Sequence, residues 1–86
     1  MLFDNREKNV NEFAKLIIHL DGASLLGLTR ILQVKVFYDD VKDANGHPTP
    51  RSGEAIVEDC LVKFHSLNRE KRREILKMLR SIKKEK

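Results

Sequence analysis

Apolar positions first recur at helical spacing in Val10, Phe13, Ala14 and Ile17, behind Asp4-Asn5-Arg6-Glu7, where an N-cap with an acid three residues later is available. The spacing predicts a first helix over about 5–19. Asp21-Gly22 breaks the period. Asp21 or Ser24 can then cap a second segment, in which Leu25, Leu28, Ile31 and Leu32 return every three or four residues and predict a helix over about 23–33. Further on, Thr49 or Ser52 can cap a helix over about 53–65, whose apolar positions Ile56, Val57, Cys60, Leu61 and Phe64 form a stripe that must be buried. Asn68 can cap the last helix, expected over about 68–84. At about 100° per residue, Ile75, Met78, Leu79 and Ile82 fall within one arc of it, and Arg69, Arg73, Lys77, Arg80 and Lys84 line the opposite side.

Between the second and third helices the pattern is weaker. Val34-Lys35-Val36-Phe37-Tyr38 is β-branched and aromatic, and reads either as a strand or as a continuation of the second helix. A strand needs a partner. The Asn45-Gly46 turn that would supply one by a hairpin is followed by His47-Pro48-Thr49-Pro50, whose prolines cannot donate to a ladder. The expectation is therefore an all-α fold, a small bundle of about four helices in a single domain over 1–86, with a long loop around 40–52.

Composition narrows the class without naming a function. A chain of 86 residues with 41% hydrophobic and 35% charged residues has the balance of one globular domain. No apolar run approaches the length of about 20 residues that a membrane-spanning helix needs, and the first residues do not read as a signal peptide, so a cytoplasmic protein making no membrane contact is expected. The single cysteine, Cys60, lies in an apolar stripe and is expected to be a core residue.

Charge is unevenly spread. Residues 67–86 hold nine bases and three acids, a net of +6 against +4 for the whole chain, which leaves the first 66 residues at −2. Lysines in the last turn suit the negative end of the helix dipole, but Arg69, Arg72 and Arg73 in the first turn or so do not, and a bound anion or acidic partner would explain them.

Candidate chemistry is sparse. None of His19, His47 and His65 has a second ligand three or four residues on, so no metal is expected. Asp43-Ala44-Asn45-Gly46 resembles part of a calcium loop, but Val41 and Ser52 stand where the first acid and the bidentate Glu belong. Residues 28–34 resemble the first helix and turn of a helix-turn-helix, but Thr29 and Gln33 replace the usual small residue and glycine. Asp39 and Asp40 would also put acids into the recognition helix. There is no nucleophile elbow and no glycine-rich phosphate loop. The expectation is a non-enzymatic regulatory or accessory protein with no cofactor and no small-molecule substrate. It would contact nucleic acid through Arg69, Arg72, Arg73, Lys77, Arg80 and Lys84, with Lys35, Lys42 and Arg51 nearby. The alternative is a small protein–protein interaction module, an adaptor or inhibitor docking on an acidic protein surface, with homodimerisation under the same heading.

Overall fold

The computed structural model describes residues 5–84. Four helices, α1 (Arg6–Ile17), α2 (Gly22–Leu32), α3 (Gly53–Ser66) and α4 (Arg69–Lys84), fall where the periodicity places them. Three begin on side-chain caps that the sequence offers. The Ser24 amide donates to Asp21 Oδ1 (2.8 Å), the Ala55 amide to Ser52 Oγ (3.1 Å) and the Lys71 amide to Asn68 Oδ1 (2.9 Å), each satisfying a backbone donor that the first turn leaves open. At the head of α1, Asn5 takes a left-handed conformation and its side chain makes no cap bond. Asp4, the other expected cap, lies outside the described residues.

The chain is predominantly helical but not all-α. Phe37–Lys42 (β1), which begins in the stretch that reads either as a strand or as a continuation of the second helix, pairs antiparallel with Pro48–Pro50 (β2), so most of the segment expected to be a long loop is a hairpin. The prolines are compatible with this pairing because of where they stand in the register. The Asp43 amide donates to the His47 carbonyl (2.9 Å) and the Arg51 amide to the Val36 carbonyl (2.8 Å), so His47 and Arg51 turn their backbone groups toward β1. Successive residues alternate in this respect. Pro48 and Pro50 therefore occupy outward positions, where a missing N–H empties no rung and leaves the outer edge of β2 without donors at those two positions. The turn is held by Asp43, whose Oδ1 accepts from the amides of Asn45 and His47 (2.9 Å each), and by Gly46 at φ 81°, a conformation that suits glycine. Gln33 ends α2 in the left-handed region, and the chain that follows is extended, so no recognition helix succeeds α2.

α1 packs against both α4 and α3, and α3 also packs against α2. Phe13 and Phe64 are fully buried and stack with ring centroids 4.1 Å apart at 8° between planes. Leu28, Leu32, Ile56, Cys60, Ile75 and Leu79 join them as the periodicity predicts. Leu16, Val34 and Leu76 complete the buried cluster without having been expected there. The resulting molecule is flat, with principal extents of 53 × 31 × 17 Å, and its radius of gyration of 14.5 Å exceeds the value of about 12 Å for a compact chain of this length. Among the described residues no helix is long and apolar enough to cross a membrane.

Candidate nucleic-acid interface

The basic helix is real, but its buried side is rotated from the one read off the sequence. Arg72, Ile75, Leu76 and Leu79 are the buried positions of α4, whereas Met78 and Ile82 are only partly covered. This arc is turned by about 60° from the expected one. The cause is α1, whose Asn9 and Glu12 meet Arg72 and Arg80, one turn before and one turn after Leu76, so that this flank of α4 faces α1.

The six expected contact residues consequently separate. Arg72 is at 0% exposure and faces no partner outside the molecule. Its Nη1 donates to the Leu67 carbonyl (2.6 Å) and its Nε to Asn9 Oδ1 (3.2 Å), so it fastens the α3–α4 connection to α1. A guanidinium suits this place because its rigid fork reaches two acceptors at once. The expectation that Arg72 is a contact residue is corrected on this ground. Arg80 is exposed but already occupied: Nε and Nη2 donate to the two carboxylate oxygens of Glu12 on α1 at 2.5 and 2.7 Å. That bidentate bond, with help from the charges of Lys8 and Lys15, holds the Glu12 carboxyl below its ordinary range and raises the Arg80 pKa. The side chain of Lys84 lies outside the described residues. Arg69, Arg73 and Lys77 remain, all exposed, and among the described residues none forms an ion pair.

These three side chains border an open cleft of about 910 Å³ between the two helices. Asn5 at the head of α1 and Asn9 within it contribute, as do Arg80 and the buried Leu76 from α4, and Glu70 and Glu74 also line it. Glu74 is 3.7 Å from Lys71. Asn9 meets Arg72 while Glu12 meets Arg80, so residue numbers rise together and α1 and α4 run in the same direction.

Two further cations, on α1, stand outside the set expected from the sequence. Lys8 and Lys15, on α1, are exposed and flank Glu12 closely enough for their charges to act on its carboxyl. The charge segregation is larger for it: α1 and α4 together carry eleven bases and four acids, a net of +7, while residues 21–66 carry five bases and seven acids, a net of −2. By contrast, the bases expected to assist from the loop are largely engaged. Lys35 pairs with Asp39, and Arg51 bonds Asp59 Oδ2 (2.6 Å) and the Lys35 carbonyl (2.8 Å), tying the hairpin base to α3. Lys42 is exposed on β1. Compared with family models, curated proteins and solved structures, the chain matches none.

Proposed function

We propose that this protein is a non-enzymatic accessory module that binds nucleic acid through the α1–α4 face. The observation that carries the reading is the row of Arg69, Arg73 and Lys77, exposed and forming no ion pair among the described residues, on a helix pair with a net charge of +7. Exposed cations can displace counterions from phosphates, a term that often dominates affinity for nucleic acid. Arg69 and Arg73 can in addition bond phosphate in bidentate fashion.

Glu70 and Glu74 in the same cleft favour a second reading, an acidic protein segment that also presents a base to them. The two readings separate in one experiment. Binding of the intact protein to duplex DNA, single-stranded DNA and RNA is followed by fluorescence anisotropy as salt is raised, with wild type beside a triple variant Arg69→Glu, Arg73→Glu, Lys77→Glu. The nucleic-acid reading expects affinity to fall steeply with salt and the triple variant to bind at least about 100-fold more weakly at low salt, with helicity unchanged. Wild-type protein that binds no nucleic acid at low salt refutes it and leaves the protein–protein reading.

A further inference from the structure

Arg80 shares a face with the three exposed bases of α4. At about 100° per residue, Arg69, Arg73, Lys77 and Arg80 fall within an arc of about 80°, and all four line the cleft beside α1. Arg80 extends the row by about 5 Å along the axis beyond Lys77. It differs from the other three in being already bonded. Its Nε and Nη2 donate to Glu12 Oε2 and Oε1 at 2.5 and 2.7 Å, whereas among the described residues Arg69, Arg73 and Lys77 form no ion pair.

A carboxylate and a phosphate make the same demand on a guanidinium, two oxygens set against two parallel N–H groups. Glu12 therefore occupies on Arg80 the place that a ligand's phosphate would take. A phosphate approaching the remaining Nη1 meets the charge of Glu12 across the same guanidinium, and the two anions repel at short range. Both side chains are partly exposed, 53% for Arg80 and 36% for Glu12, so the pair lies within reach of a ligand. Glu70 and Glu74 also make the cleft less positive, but neither is bonded to any of the four bases: among the described residues Glu70 forms no ion pair and Glu74 pairs with Lys71. Glu12 is thus the acid that withdraws one of these bases outright. Resting on the nucleic-acid reading above, we infer that Arg80 is a fourth phosphate contact held in reserve and that Glu12 is the internal anion that competes for it. The protein grips phosphate with three bases while Glu12 is charged, and removing that charge makes them four.

The test follows binding of the intact chain to a short DNA duplex by fluorescence anisotropy as salt is raised, for wild type, Glu12→Gln, Arg80→Gln and the double variant. Glutamine at position 12 keeps the size of the side chain and removes its charge, and circular dichroism checks that helicity is kept. With three phosphates neutralised, the log–log salt slope of wild type is expected to be about −2.7, and that of Glu12→Gln, with four, about −3.6. For affinities that converge at about 1 M salt, the extra contact makes Glu12→Gln bind about 15-fold tighter than wild type at 50 mM and about 4-fold tighter at 200 mM. With Arg80→Gln already in place, Glu12→Gln no longer steepens the slope. A Glu12→Gln slope equal to that of wild type, or a gain in affinity that persists undiminished in the Arg80→Gln background, shows Glu12 acting only as a remote charge. Weaker binding by Glu12→Gln shows it orienting Arg80 for the ligand. Each of these outcomes overturns the inference while the nucleic-acid reading stands. If neither wild type nor Glu12→Gln binds at low salt, both are overturned.

Discussion

Arg72 and Arg73 are neighbours in the sequence and of one residue type, yet the structure gives them opposite work, and substituting each by methionine separates the two. Methionine keeps the volume and the helix propensity of the arginine it replaces and removes its donors. At position 72 it strips hydrogen bonds from at least two acceptors. The Leu67 carbonyl retains a distant donor in Arg6 Nη2 at 3.5 Å, and Asn9 Oδ1 loses its bond to Arg72 Nε. A buried acceptor left without its partner costs about 1–3 kcal/mol, and for these partly buried acceptors together the destabilisation by Arg72→Met is expected at about 2–4 kcal/mol. The whole domain is expected to have roughly 4–13 kcal/mol of stability, so this is a large share of it. Arg73→Met, on the exposed row, is expected to change stability by no more than about 0.5 kcal/mol while weakening ligand binding. Urea unfolding followed by far-ultraviolet circular dichroism reads the difference as a midpoint lowered by about 1 M or more for Arg72→Met and scarcely moved for Arg73→Met. Equal midpoints for the two variants, or an Arg72→Met protein as stable as wild type that has lost binding, refute the assignment of Arg72 to the framework.

The Glu12–Arg80 bond should show in the pH dependence of stability. Because the folded carboxyl titrates below its ordinary value of 4.5, the bond's contribution is fully present above that value and is lost as pH falls through the lower folded value. The pair is partly exposed, so Glu12→Gln is expected to cost about 0.2–1 kcal/mol near neutral pH and nothing once the carboxylate is protonated; a cost that persists unchanged in acid contradicts this. Cys60 is fully buried and its thiol is pushed up to about 11 by burial, so alkylation by iodoacetamide near pH 8 should run roughly 100-fold or more slower than in urea. Equal rates in the two conditions would place the thiol at the surface.

The helices were legible because each carries its own local signals, an apolar period and, for three of them, a capping side chain next to it. The hairpin was missed for a reason of register. Pro48 and Pro50 are fatal to a strand only where their nitrogens face the partner, and which way they face depends on the pairing of Asp43 with His47 and of Val36 with Arg51, a long-range fact. The candidate site was legible in half. Arg69, Arg73 and Lys77 follow from the period of α4 alone, but the burial of Arg72 and the engagement of Arg80 depend on α1 lying against that particular flank. Lys8 and Lys15 are unremarkable surface lysines until α1 is seen beside α4. A signal was present in the sequence all the same: two Lys flanking a Glu at positions −4 and +3 identify a cationic helix face with one acid available to meet an arginine from elsewhere.

Packing two like-charged helices together has a mechanical consequence. The α1–α4 pair is pressed together by its apolar seam and by one carboxylate clamp against the mutual push of its own cations, so the unliganded domain sits under electrostatic load. Any polyanion laid across that face relieves the load as well as forming contacts, and simple salt does so weakly by screening. The isolated protein should therefore melt at a higher temperature as ionic strength rises, whereas the proposed binding of nucleic acid is expected to weaken over the same range.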